Sequence, residues 1–122
     1  MERLKILTHK GKEIIYGDFS HLKASSKQEF IDLMKETKNH IVQQPPHSVL
    51  ILTNVTETGF NSEIILLFVE FTNHNAPYAK SSAVIGVNGL LNIALRTITK
   101  SAGRNIQAFA TEAEALDWLA TQ

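Results

Sequence analysis

The chain has 122 residues, 43% of them apolar, which suits the core of one ordinary domain and argues against disorder. Twelve basic and twelve acidic residues give a formal net charge of zero, so the chain lacks the basic field that nucleic-acid binding uses. Cysteine is absent, which excludes disulfides, thiolate nucleophiles and cysteine-ligated zinc. The longest apolar run, residues 64–69, is far shorter than the roughly 20 residues that span a bilayer, and the first residues do not resemble a signal peptide. We therefore expect one cytoplasmic domain, residues 1–122, that neither spans a membrane nor binds nucleic acid.

The N-terminal part predicts a β-hairpin followed by a helix. Residues 4–8 and 13–19 are two strand-like runs, and Gly11 between them supplies the positive φ of a tight turn. The sequence SKQE at residues 26–29 has the spacing of a capping box, in which serine and glutamate satisfy free backbone N–H groups. Apolar residues then recur at helical spacing, so helix one is predicted over residues 27–43, where two prolines follow.

Strands and helices alternate along the rest of the chain. Residues 49–52 are continuously apolar, as in a central strand covered on both faces. Helix two is predicted over residues 62–75. The later elements are a strand, a helix opened by an Asn-Gly pair, a short strand and a helix behind a second capping box, beginning near residues 83, 88, 105 and 111. The order ββαβαβαβα predicts an α/β fold, with a mostly parallel five-stranded sheet, an antiparallel N-terminal edge strand and four flanking helices.

This element order resembles that of STAS domains (sulphate transporter and anti-sigma-factor antagonist). More closely, the whole chain resembles small stand-alone bacterial proteins described as STAS/SEC14-like, or SpoIIAA-like. The motifs that carry this resemblance are FTNHNAPY, AVIGVNGL, GRNI and TEAEALDWL, at residues 71–78, 83–90, 103–106 and 111–119. The resemblance implies the strand order of a STAS sheet and a regulatory, protein-binding role, and its SEC14-like part implies a lipid carrier.

In antagonist-type STAS domains, a partner kinase phosphorylates a serine at the start of a helix. An aspartate precedes that serine, and another aspartate ends the strand before it. On this sequence the strand-end position falls on Thr53 and the pair falls on Asn61 and Ser62, so both acids are absent. The neighbouring Glu63 would repel a phosphate. The resemblance therefore leaves two readings of Ser62, a regulatory hydroxyl or part of an ordinary helix cap.

A second helix start is predicted at the same edge of the sheet, where ligands of open α/β folds gather. Five residues at this edge make up the predicted regulatory or anion-binding site, and they are Thr53, Asn61, Ser62, Asn88 and Gly89. Capping and a tight turn are the alternative explanation for them. Three basic residues form a second predicted site, a strip for a headgroup or another anion, and they are Arg96, Lys100 and Arg104. Cations that merely offset a helix dipole would give the same pattern.

Helix two is apolar around most of its circumference, whereas a surface helix needs an apolar stripe over only about a third. The surplus indicates a protein interface, an acyl-chain groove or complete burial in the monomer. The predicted interface residues are Ile65, Leu66, Phe68 and Val69.

The five histidines lack the spacing of a zinc site, and no catalytic constellation stands out. We therefore predict no enzyme activity, no metal and no cofactor. The leading hypothesis is a non-enzymatic STAS-like module that binds a protein partner or forms a homodimer. The rival is a small carrier that binds a lipid or other apolar ligand between helices two and three. A weaker third hypothesis is a hydrolase or transferase that uses Ser62 or His74.

Overall fold

The fold is built on one five-stranded sheet. The computed structural model describes residues 2–88, 92–93, 95–96 and 106–122. The strands are β1 (Leu4–His9), β2 (Lys12–Asp18), β3 (Val49–Asn54), β4 (Ala79–Ile85) and β5 (Ile106–Phe109). They lie side by side in chain order, with β1 antiparallel to β2 and every other pair parallel. The predicted α/β architecture with an antiparallel N-terminal edge strand is therefore confirmed.

The hairpin between β1 and β2 turns at Lys10 and Gly11. Both residues have positive φ, 49° and 78°. Positive φ at both central positions is the type I′ geometry, whose twist matches that of the paired strands. Glycine adopts this conformation without steric cost, so Gly11 fixes the hairpin as the sequence predicts.

Three helices have defined bounds in the described part of the chain: α1 (Lys27–Ile41), α2 (Ser62–Asn75) and α3 (Glu112–Ala120). The predicted bounds of α2 are confirmed at both ends, and α1 ends two residues before the predicted Gln43. The predicted third helix, which opens at residues 88–89 and ends at Gly103, lies mostly outside the described residues. Within it, residues 92–93 and 95–96 are helical, and the amide of Asn92 donates to the carbonyl of Asn88.

The two predicted capping boxes have different outcomes. At α3 the Thr111 hydroxyl accepts from the Glu114 amide at 3.2 Å, so this cap is confirmed. At α1 the Ser26 side chain makes no cap hydrogen bond, so the box at residues 26–29 is wrong. Ser26 has φ −95° and ψ 43°, rather than the extended backbone that usually aims an N-cap hydroxyl at the helix amides.

Strand β4 also differs from its prediction, because it occupies Ala79–Ile85 rather than residues 83–87. Its first half contains Ser81 and Ser82, which are buried although polar. The Ser81 hydroxyl donates to the Gln122 side chain at 3.0 Å, and this hydrogen bond offsets the cost of burying the hydroxyl. Because the first half of the strand is mostly polar, the run of apolar residues in the sequence does not indicate where it starts.

The helices cover both faces of the sheet. Residues Phe30, Leu33 and Met34 of α1 pack with Ile64, Phe68 and Phe71 of α2 on one face, around the ring of Phe19. On the other face Ala115 and Leu119 of α3 pack on apolar residues of the central strands, namely Ile14, Leu50, Leu52, Ala83 and Ile85. This double coverage explains why β2 and β3 contain uninterrupted apolar runs.

Candidate functional site

The carboxyl ends of β2 and β3 carry two turns of the same kind. The carboxylate of Asp18 accepts from the amide of Ser20 at 2.9 Å and from its hydroxyl. The side-chain oxygen of Asn54 accepts from the amide of Thr56 at 3.0 Å and from its hydroxyl at 2.6 Å. Because Asp18 pairs with Asn54 in the sheet register, these two Asx turns lie side by side.

Beyond these turns the two loops remain bonded to each other. The amide of His21 donates to the carbonyl of Thr56 at 2.9 Å, and the amide of Gly59 donates to the carbonyl of Leu22 at 2.7 Å. The Thr58 hydroxyl donates to the carbonyl of Phe19 at 2.8 Å. The loop that leads into α2 is therefore held by hydrogen bonds along most of its length, which fixes the position of the helix start.

Asn61 is the N-cap of α2. Its backbone is extended, and its side chain accepts from the amide of Ile64 at 2.9 Å. Ser62 is the first helical residue and is exposed. The capping role in this corner is therefore filled by Asn61, which leaves the Ser62 hydroxyl at the surface beside the positive end of the helix dipole.

Both charge signs are present beside Ser62. The carboxylate of Glu63 lies 3.3 Å from the ammonium of Lys27, the first residue of α1, and both side chains are largely exposed. The repulsion that the sequence predicts between Glu63 and a phosphate is thus opposed by a nearby cation. An exposed pair of this kind contributes little to stability, so it exchanges readily for another pairing.

The predicted anion-binding residues are distributed over several positions at this edge. Thr53 is half-buried near the end of β3, Asn61 and Ser62 begin α2, and Asn88 is exposed after β4. Gly89 lies outside the described residues. Phe60 and Val87, the residues just before Asn61 and Asn88, line one cavity together, so the two loops meet.

Only one member of the predicted basic strip lies in the described part of the chain. Arg96 is exposed in the helical segment at residues 95–96. Lys100 and Arg104 lie outside the described residues, so the headgroup strip stays a prediction.

The predicted interface on α2 divides into a buried and an exposed part. Phe68 is only 6% exposed and contacts the rings of Phe19 and Phe60, so it belongs to the core. Leu66 is 62% exposed on the outer side of the helix. Ile65 and Val69 are half-buried beside it. The apolar surplus that the sequence indicates therefore reaches the surface at Leu66 and its two neighbours.

A cavity of about 70 Å³ lies between α2 and strands β3, β4 and β5. Its described walls are mostly apolar and include Val55, Phe71 and Val84, and Leu95 of the helical segment contributes to one side. An apolar cavity that holds benzene measures about 150 Å³. The cavity is therefore too small to hold an apolar ligand the size of benzene.

A polar network that the sequence does not predict lies at this edge, and Glu112 at the start of α3 is close enough to act on it electrostatically. The phenol of Tyr16 accepts from the side-chain amide of Asn54 at 2.9 Å. Burial raises the pKa of Tyr16, the hydrogen bond from Asn54 lowers it, and the negative charges of Asp18 and Glu112 raise it further. Two short patterns, Asp-x-Ser at residues 18–20 and Asn-x-Thr at residues 54–56, were the available signal for the turns beneath this network.

The third hypothesis, an enzyme that uses Ser62 or His74, gains no site from this geometry. These residues are at opposite ends of α2, which places them about 18 Å apart along its axis at about 1.5 Å per residue. They therefore do not form a nucleophile–base pair. Among the described residues, no cluster of metal-ligating side chains occurs, and no helix is long and apolar enough to cross a membrane.

No family model and no curated protein matches the sequence. Solved structures do match. One is an uncharacterized protein of the DUF3478 family, with a SpoIIAA-like fold, from Shewanella loihica PV-4. It is 19% identical with a TM-score of 0.67, and the match covers 95% of this chain and 91% of that one. Another is an anti-sigma-factor antagonist (STAS) domain protein from Planctomyces limnophilus, 15% identical with a TM-score of 0.63, covering 96% of this chain and 97% of that one. The fold is that of a STAS domain.

The expected STAS/SpoIIAA-like fold is thus confirmed. At these identities the similarity extends to the fold alone. In this STAS-like fold the corner between β3 and α2 is intact, with Asn61 rather than an acid before Ser62.

Proposed function

We propose that this STAS-like domain is a non-enzymatic regulatory module that binds a protein partner, or a second copy of itself, through the outer face of α2. The observation that carries the proposal is Leu66, a large apolar side chain that is 62% exposed and flanked by the half-buried Ile65 and Val69. Covering the exposed part of Leu66 would contribute about 1–2 kcal/mol to binding. The STAS-like fold supports a role of this kind.

Ser62 is the proposed regulatory residue of this face. It lies one helical turn from Leu66, so a charge added to its hydroxyl changes the surface that the partner meets. The helix start favours an anion there, and Lys27 is available to pair with it in exchange for Glu63. Phosphorylation of Ser62 would thus place about two negative charges beside an apolar contact and weaken it.

Site-specific photo-crosslinking in cells of the native host tests this function. A photoreactive amino acid at position 66 is expected to give a discrete protein adduct. The same group at Ala113, which is exposed on α3 at the other face of the sheet, gives none. Ser62→Glu is expected to reduce the adduct and Ser62→Ala to leave it. Equal labelling at positions 66 and 113, or no protein adduct at position 66, would overturn the proposal.

The carrier hypothesis remains a second candidate because the cavity beside α2 has apolar walls. An apolar ligand would have to enlarge the cavity from its present volume of about 70 Å³, so the carrier hypothesis requires one wall of the cavity to move. Native mass spectrometry of the purified protein tests it. A copurified ligand of constant mass supports the carrier, and repeated preparations without one count against it.

A further inference from the structure

A groove of about 420 Å³ runs between α1 and α2 on the side of these helices that faces away from the sheet. Its floor is apolar and is supplied by both helices, through Ile31, Met34, Val42 and Leu67. Val42 is 44% exposed and Leu67 is half-buried, so part of this floor is open at the surface. The groove thus has apolar surface left over after the two helices have packed together.

The rims of the groove are polar and unequal in charge. The α1 rim carries Lys35 and Lys38, and the α2 rim carries Glu70 and His74. At the amino ends of the two helices, Lys27 and Glu63 form an ion pair across the same boundary. Further along, neither Lys35 nor Lys38 has a carboxylate within 4 Å among the described residues. Lys35 and Lys38 are three residues apart in the helix, so their side chains lie on the same side of α1 and form one rim of the groove.

An amphipathic helix suits this surface better than an extended peptide. Two neighbouring helices offer side chains and a hydrophobic channel rather than a free backbone edge, and such a channel is filled by the apolar stripe of a third helix. Acidic residues along one edge of that helix would complement the charge of Lys35 and Lys38.

In a second copy of this chain, α3 covers the face of the sheet opposite α1 and α2, and it cannot be the helix that fills the groove. Its α3 is acidic on the outside, with Glu112, Glu114 and Asp117. However, Ala115 and Leu119, which that helix would have to place on the groove floor, are fully buried beneath its own sheet. The α3 helix of a second copy is therefore not the occupant, and a dimer formed through another face is separated from the proposal by the test below.

We propose that the groove between α1 and α2 receives an amphipathic helix of a partner protein, with its apolar stripe on the groove floor and its acidic edge beside Lys35 and Lys38. The proposal rests on the protein-binding function proposed above and adds the class of partner segment. The two fail separately, because crosslinking at Leu66 reports on the outer face of α2 and the experiment below reports only on the groove.

The probe is a fluorescein-labelled model peptide of roughly 18 residues, long enough to form a helix, with a leucine stripe and a glutamate edge. A matched peptide has lysine at every glutamate position. Fluorescence anisotropy with the full chain at low salt is expected to show binding of the glutamate peptide. The double variant Lys35→Glu/Lys38→Glu is expected to weaken it about tenfold and to favour the lysine peptide instead.

The control variant is Lys5→Glu/Lys80→Glu, which changes the net charge by the same amount at exposed positions on β1 and β4. It is expected to bind the glutamate peptide as the wild type does. Amide chemical shifts at Val42 and Leu67 are expected to move on peptide addition. The proposal would be overturned if the glutamate peptide did not bind at about 1 mM, or if both double variants weakened its binding equally. It would also be overturned if free decanoate bound in place of the peptide, or if the protein formed a dimer that Lys35→Glu/Lys38→Glu dissociates.

Discussion

Replacing Gly86 by alanine tests a close backbone approach at the carboxyl edge of the sheet. Gly86 follows β4 with φ +84°, and a Cβ there would overlap the hydroxyl and amide nitrogen of Thr56 and lie 2.5 Å from its Cα. The left-handed backbone costs a non-glycine residue roughly 1–2 kcal/mol. The overlap adds roughly 1–3 kcal/mol, because the β3 loop must move. We therefore expect Gly86→Ala to lower the free energy of unfolding by roughly 2–5 kcal/mol.

Gly11→Ala is the matched control. Gly11 has a similar φ of +78°, but nothing lies within 4 Å of a Cβ placed there. Its loss should be only the backbone cost of roughly 1–2 kcal/mol. Urea unfolding, followed by Trp118 fluorescence and by far-ultraviolet circular dichroism, measures both variants. Equal losses for Gly86→Ala and Gly11→Ala would refute the contact between the two loops.

Three further predictions concern the caps, the buried phenol and the face of α2. In urea unfolding, Asn61→Ala should lower the free energy of unfolding by about 1 kcal/mol and Ser62→Ala by less than about 0.5 kcal/mol, since only Asn61 caps α2. A larger loss for Ser62→Ala than for Asn61→Ala would contradict this assignment of the cap. Burial raises the pKa of Tyr16 above its ordinary 10.0 in the folded protein, so the phenol of the unfolded chain ionises at lower pH. The stability that the neutral, buried phenol contributes is therefore complete below pH 10.0 and is lost as the pH rises through the folded pKa. Tyr16→Phe should lessen this alkaline loss in unfolding measurements, and an unchanged pH profile would refute the cause. Phe68→Ala should cost about 3–5 kcal/mol and Leu66→Ala less than about 1 kcal/mol in the same assay, and similar costs would contradict their different burial.

Local patterns were sufficient where one short segment satisfies itself. The hairpin at Gly11, the bounds of α2 and the cap of α3 all depend on neighbours within a few residues, and the sequence predicts them. For the cap of α2 the sequence left Asn61 and Ser62 open, and the structure assigns it to Asn61. The same reasoning failed at Ser26, because its backbone angles, rather than its residue type, decide whether the hydroxyl reaches the helix amides. It also failed for the start of β4, where a partner 41 residues away in the chain satisfies Ser81.

The candidate site shows the same division. The position of Ser62 at a helix start follows from the sequence, but Lys27 reaches Glu63 only because α1 and α2 pack side by side. The groove with Lys35 and Lys38 was not predicted at all, because it is formed by two helices that are distant in the chain. Its only sequence signal was a pair of lysines beside apolar residues, which an ordinary solvated helix face also contains.

Sequence alone determined the types of the described elements, the α/β class and the apolar surplus of the second helix. Tertiary structure decided where that surplus lies, with Phe68 in the core and Leu66 at the surface. A helix that is apolar on nearly every side carries no periodic signal for its orientation. Its rotation is therefore set by the sheet and by α1, whose contacts a linear pattern does not contain.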